Sequence, residues 1–198
     1  MPEAPADRLA KTEVPIHPPL AARWSPRAFD PNAELTREDL IGLLEAARWA
    51  PTWGKRQPVR YLVGLRGDDA FTTLAGFLKR GNSYATAAGA LILLCADEGP
   101  DERTALYSGV DAGAAMANLL IEAVTRGLIA HPMAGFDVDE AVEIIPDGFW
   151  PLVVIAVGSL GDYAVAAPEI AERDGLPRER LALAEVVLNW PDICRTTS

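Results

Sequence analysis

The sequence predicts a single-core α/β domain built on a mixed β-sheet flanked by helices, and three observations lead there. Short apolar runs at residues 60–65, 90–96 and 151–157 read as strands, the last two greasy enough to be buried on both faces. Segments with helical spacing separate these runs without a strict strand–helix–strand rhythm, which favours a mixed sheet over an all-parallel one. Finally, 198 residues with 49% hydrophobic and 23% charged content are the length and makeup of one globular core that needs no disulfide or metal staple.

Each element follows from local chemistry. Residues 1–22 carry Pro2, Pro5, Pro15, Pro18 and Pro19 without an apolar core, so they read as an extended arm and not as a secretory signal. The globular domain is expected over 23–182, with 183–198 as a tail. Thr36 offers a cap to a helix whose Leu40, Leu43, Leu44 and Ala47 share one face and which Pro51 stops. Residues 52–58 form a loop, 60–65 a strand, 74–78 a short helix, and Gly81-Asn82 a turn. Residues 111–126 are apolar on both faces, through Ala112, Ala115, Met116, Leu119, Leu120 and Ala123 on one and Ala114, Ala117, Ile121 and Val124 on the other. Such a helix is buried centrally or against another subunit. A short strand at 128–130 leads into a loop at 131–136. Asp137 then caps a helix ending before Pro146, and a last apolar patch spans 183–190.

Charge and motifs narrow the function. A net charge of −10 argues against nucleic acid, whose phosphates are gripped by clustered Lys and Arg. The longest apolar run, 87–96, is too short to cross a bilayer, so no membrane partner is expected and a cytoplasmic location is. Cys95 reads as a small buried hydrophobe and Cys194 as a surface thiol in a reducing compartment. No metal-binding spacing, nucleophile elbow, phosphate loop or dinucleotide fingerprint is present. Of the two histidines, His17 lies in the arm, and His131 precedes a proline where it can face a substrate or simply bond the backbone. Chemistry this sparse points to a cofactor as the reactive group, with no side chain assigned as catalytic. Arg23, Ser25 and Arg27 alternate, so in extended backbone they project to one side, as a phosphate clamp or as a solvated basic patch.

The stretch Arg23-Trp24-Ser25-Pro26-Arg27-Ala28-Phe29-Asp30 resembles the R-R-S-x-R-x-F-D opening of the nitroreductase-like, FMN-dependent flavoproteins. Residues 50–58 (APTWGKRQP) are similar to that family's A-P-S-S-x-N-x-Q-P loop. Asp111 to Leu128 resembles its D-A-G-A-A…N-L…G-L helix, Pro132 to Asp137 its P-x-x-G-F-D loop, and Arg180 to Val187 its terminal R-K-P-L-E-E-V-V. The five blocks run in family order across nearly the whole chain. The resemblance implies an interlocked homodimer with two FMN sites at its interface, the FMN-binding domain spanning 23–182 and the 183–198 tail packing on the partner.

It also implies roles. Arg23, Ser25, Arg27 and Arg180 would hold the FMN phosphate and ribityl chain, with Trp24 beside them. Thr52, Trp53, Gly54, Lys55 and Gln57, from the partner subunit, would border the flavin, and Asn82 would touch its edge. Pro132, Met133, Ala134 and Gly135 would lie along the ring, with the Ala134 N–H near N5. His131 and Lys55 would face the substrate. Three departures stand out: Lys55 replaces the family's loop asparagine, Val59 its tryptophan, and Ala134 a frequent acidic residue. Among the tryptophans, Trp150 is expected in the core, Trp190 docked on another surface, Trp53 stacked near the flavin or packed on protein, and Trp24 packed. The implied activity is transfer of electrons from NADH or NADPH through FMN to a nitroaromatic, quinone or other small electron-poor acceptor. Two alternatives remain open: a flavin-handling, FMN-destroying-type protein without diaphorase activity, and a dimeric homologue that has lost its cofactor.

Overall fold

A computed structural model describes residues 6–193, so the Cys194 thiol and the arm's first five residues lie outside the described residues. In chain order the elements are α1 (Pro18–Ala22), α2 (Arg37–Arg48), β1 (Val59–Leu65), α3 (Asp69–Gly76), β2 (Ala90–Asp97), α4 (Glu102–Thr125), β3 (Ile129–Met133), α5 (Val138–Val142), β4 (Phe149–Gly158), α6 (Pro168–Gly175), α7 (Leu183–Val186) and α8 (Trp190–Ile193). The strands make one sheet in the order β1-β2-β4-β3, and each pairing is antiparallel, a narrower arrangement than the mixed sheet expected.

The sheet is sandwiched between helices, and strand alternation divides its residues between two cores. Ala90, Ile92, Leu94, Ile155 and Val157 face α2 and α4, meeting Leu40, Leu43, Ala115, Leu119 and Ala123. Leu91, Leu93, Cys95, Val154 and Ala156 face the other way, onto Phe71 and Leu74 of α3 and onto Phe77, Phe136 and Ala141. Burial without a partner pushes the Cys95 thiol up to about 11, which keeps it protonated and inert near neutrality.

The helix caps follow the sequence. The Thr36 hydroxyl accepts the Asp39 N–H at 3.0 Å, and Asp137 accepts the Glu140 N–H at 3.2 Å. α4 begins nine residues before the expected start, because the Asp101 carboxylate caps it by accepting the Thr104 N–H at 2.9 Å. One of its two apolar faces is buried; the other is half-buried at Ala114, Ile121 and Val124 and open at its start, with Leu106 and Val110 66% and 57% exposed.

Several expectations are corrected. The arm is not extended throughout: a 3₁₀ turn spans Ala6–Arg8 and α1 spans Pro18–Ala22. His131 and Pro132 sit inside β3 and not in a loop; β3 is an edge strand, where a residue lacking an N–H is tolerated. Pro151 lies within β4 at the register shift opposite Leu94 and Cys95, the bulge that relieves the ladder of its missing donor. Trp150 is 46% exposed because the first residues of β4 pair with β2 alone, β3 reaching only Val154 to Gly158.

Candidate functional site

The arginine strip is placed by the strands it runs beside. Phe29 bridges Leu160 just beyond β4, the Asp30 N–H donates to the Ser159 carbonyl at 3.0 Å, and the Gly161 N–H to that of Ala28 at 2.9 Å. From β3, the buried His131 donates its Nδ1–H to the Pro26 carbonyl at 3.0 Å. This fixes the strip's extended backbone, and Arg23 and Ser25 fall on one side as expected, the Arg23 guanidinium donating to the Ser25 hydroxyl at 3.0 Å.

These residues open onto a cavity of about 340 Å³ that six arginines line: Arg8, Arg23, Arg27, Arg173, Arg178 and Arg180. Only two carboxylates, Asp174 and Glu179, line it with them, which leaves a cationic basin on a protein of net charge −10. Burial and then the neighbouring Arg180 charge push the Arg23 guanidinium below its ordinary range. Burial, Arg23, Arg180 and Arg8 do the same to Arg178. Mutual repulsion of this kind is relieved by a bound anion.

Much of the basin carries no mark in the sequence pattern. Arg178 and Arg180 alternate in the non-helical stretch after α6, the same signal that marks Arg23 and Arg27. Arg8, Arg173, Asp174 and Tyr163 carry no such signal. Arg178 donates to the carbonyls of Arg8 and Arg23, the latter at 2.9 Å. Arg8 in turn donates to those of Asp174 at 2.6 Å and Leu176 at 2.9 Å, and its guanidinium lies 5.5 Å from the Trp24 ring, so Trp24 is packed.

The 132–135 segment and Asn82 are brought together. The Asn82 amide donates to the Gly135 carbonyl at 2.8 Å, and the Lys79 N–H donates to it at 3.0 Å. A Cβ on Gly135 would stand 2.7 Å from that amide, so the close approach requires glycine. Tyr84 meets His131 edge-on at 5.4 Å and reaches Asn82 through its hydroxyl, joining this cluster to the strip. Ala134 is exposed at the segment's crest.

The 52–57 loop stands apart; among the described residues no hydrogen bond or ring contact joins it to the strip or to 132–135. It is tied to α4, where the Asp111 carboxylate accepts the Trp53 N–H at 2.9 Å, and to β2 by an Arg56–Asp97 ion pair at 2.7 Å. Trp53 stacks on Tyr107 with centroids 4.7 Å apart, under the Arg103 guanidinium, so one of its faces is already covered. Lys55 and Gly54 are exposed, and Gln57 adopts φ 61°, the left-handed region rare for side-chain-bearing residues. Thr52, Gln57 and Val59 line a second cavity of about 400 Å³ whose other walls include Tyr61 and Asp111.

Because burial lowers the His131 pKa, the folded state resists its protonation. The resulting loss of stability is absent above the unfolded value near 6.5 and grows as pH falls below it. Urea denaturation should therefore show the wild type weakening as pH falls below about 6.5, a trend blunted in His131→Gln, which keeps a donor for Pro26 but cannot charge. Parallel curves for the two proteins would remove His131 as the cause.

No helix is long and apolar enough to cross a membrane, and no group of three or more potential metal ligands occurs among the described residues.

Comparison with known proteins agrees with this geometry. The Nitroreductase family profile matches residues 20–82, the stretch holding the strip, the 52–57 loop and Asn82. A 15.4 kDa protein of Mycolicibacterium smegmatis, from the ask 5′ region, is 64% identical over 137 residues, which span 65% of this chain and 93% of that one. YdgI of Bacillus subtilis, a candidate NAD(P)H nitroreductase, is 22% identical over 75% of this chain and 90% of its own. Among solved structures, an oxidoreductase containing FMN superposes with a TM-score of 0.82 at 32% identity, over 90% of this chain and 93% of that one. A nitroreductase-like protein of Desulfovibrio desulfuricans, solved in complex with FMN, gives a TM-score of 0.70 at 25% identity over 89% and 97% of the two chains. With the antiparallel sheet, the arginine strip and the Asn82–Gly135 junction all in place, the chain belongs to the nitroreductase family.

Proposed function

We propose that this protein is an FMN-dependent oxidoreductase that takes electrons from NADH or NADPH and passes them to nitroaromatics, quinones or other small electron-poor acceptors. The observation that carries the reading is the arginine basin beside the Asn82–Gly135 junction. Under-neutralised guanidinium forks suit a phosphate dianion, and a glycine-bearing, side-chain-poor segment suits the flat face of a flavin. Relatives that contain FMN support the same reading.

The flavin, when bound, supplies hydride and electron transfer. The chain's own residues do the rest. Arg23, Ser25 and Arg180 hold the phosphate end, with Arg27 and Trp24 shaping the wall. Asn82 fixes the Gly135 carbonyl, and through it the 132–135 backbone that would lie along a bound flavin. Ala134 is small and exposed, so its N–H can be approached at N5 without a side chain intervening. His131 lies behind this segment, buried, where it orients the strip through Pro26 and leaves acceptor contacts to Lys55 and the loop.

The loop's separation from the strip supports a homodimer in which each loop completes the partner's site. The open face of α4 and the tail point the same way: Leu183 and Val186 are exposed, and Leu188 fully so. Deleting residues 183–198 should release both the dimer and the flavin, read by sedimentation and by the flavin absorbance that co-sediments. A truncated monomer still holding its flavin would remove the tail from the assembly.

The test of function is optical. The purified protein should be yellow, with bands near roughly 370 and 450 nm, and should bleach anaerobically on adding NADH or NADPH and recolour with a quinone. A colourless protein that rejects added FMN would overturn the cofactor. A yellow one inert to both nicotinamides would point to the flavin-handling alternative.

A further inference from the structure

The six arginines of the basin are not equivalent, and the buried carboxylate among them marks the main difference. Asp174, near the end of α6, has a side chain only 1% exposed. Its Oδ2 accepts the Arg27 main-chain N–H at 2.6 Å and the Tyr163 hydroxyl at 2.8 Å, while its Oδ1 accepts the Arg27 Nη1 at 2.7 Å. A carboxylate so removed from water persists only when paired and hydrogen-bonded, and here all three donors converge on it. The consequence for Arg27 is that its backbone is pinned and its fork is turned onto a buried negative charge.

The remaining guanidiniums sort by what they touch. Arg178 spends its donors on main-chain carbonyls, which position it without cancelling its charge, while Arg8 divides its donors between carbonyls and an ion pair with Asp7 at 2.9 Å. Arg173 is exposed at the rim. Arg23 meets only the Ser25 hydroxyl and Arg180 only the carbonyl of Glu179, so these two forks are open to the cavity. We propose that Asp174 is a positioning residue of the basin: it holds Arg27 by main chain and fork, withdraws that charge from the cavity, and leaves Arg23 and Arg180 as the pair that grips the phosphate. The proposal rests on the flavin reading above, and under it the C-terminal segment from Tyr163 to Arg180 sets which charge a phosphate meets.

FMN and riboflavin differ only in the phosphate, so the ratio of their affinities isolates the basin from the rest of the pocket. The full-length chain, stripped of flavin, is titrated with each by fluorescence quenching at low and high KCl. Arg23→Ala and Arg180→Ala should each cut the FMN preference by roughly ten- to a hundredfold, the effect of losing one charge-assisted contact. Arg27→Gln should leave the preference unchanged, whatever it does to both affinities together. Asp174→Asn sets the Arg27 charge free and should raise the FMN preference and steepen its salt dependence. A purely structural Asp174 would lower the melting temperature and move neither. The proposal is overturned if Arg27→Gln collapses the FMN preference as Arg23→Ala does, or if Asp174→Asn folds and leaves preference and salt dependence where they were. Should Asp174→Asn not fold, the Arg27→Gln titration decides alone. Should the wild type bind neither flavin, the flavin reading fails and inorganic pyrophosphate becomes the probe. Thermal stabilisation kept by Arg27→Gln and lost in Arg23→Ala and Arg180→Ala would then uphold the charge assignment, and equal stabilisation of all variants would end it.

Discussion

Arg23→Ala, and independently Arg180→Ala, will purify with little of the flavin that the wild type carries. Each removes one of the two forks left open to the cavity, and with it a bidentate, charge-assisted contact to a phosphate. A charge-assisted contact of this kind is worth about 1.5–3 kcal/mol, so affinity should fall roughly ten- to a hundredfold, enough to lose flavin on a sizing column. Lysine at either position restores the charge but not the fork, and should recover only part. The folds should survive, because neither side chain is paired with a carboxylate; loss of Arg23 even relieves repulsion on Arg180 and Arg178. Flavin-to-protein absorbance ratios on the purified variants check this, and full occupancy in both would move the phosphate elsewhere.

Gly64→Ala should be the most damaging small substitution to stability. Gly64 sits in β1 where α3 crosses, and an added Cβ would overlap the Phe71 main chain, backbone that cannot rotate away. Phe71 is held there at both ends of the local structure: its N–H is taken by the Asp68 cap at 2.6 Å, and its ring is buried in the second core. Relief requires α3 to lift off the sheet, which puts the cost at about 3 kcal/mol, or a melting temperature lower by about 6–12 °C in a chain of this size. Calorimetry on the variant measures it. By contrast, Gly42→Ala meets only the flexible end of Arg126 and serves as the control.

The sequence made some features legible and hid others for physical reasons. The caps at Thr36 and Asp137, the alternation of Arg23 and Ser25, and the doubly buried β2 were readable because each depends on residues within a few positions of one another. The early start of α4 was missed because Asp101 caps a stretch, residues 102–110, whose outward side chains Leu106 and Val110 face no core in this chain. Pro132 suggested a loop, since strand propensity says nothing about which strand lies at an edge. Asp174 was unreadable: its three donors sit at residues 27 and 163, and only the folded chain brings 27 beside it. Trp150 misled for a related reason, as burial of a single aromatic is decided by which neighbouring strand happens to reach it.

The clasp between Arg8 and Arg178 fixes when the basin can exist during synthesis. Arg178 reaches carbonyls 155 and 170 positions earlier in the chain, and Arg8 reaches carbonyls 166 and 168 positions later. Sheet and flanking helices are complete by the end of β4, yet the arginine strip at residues 23–27 must wait for residues 173–180, which are made well after it. Contacts of such long sequence separation close late, after the entropy of the intervening loop has been overcome. A nascent chain halted after β4 would thus own a hydrophobic core and no anion site, and flavin uptake becomes a signal that translation has run past Arg180.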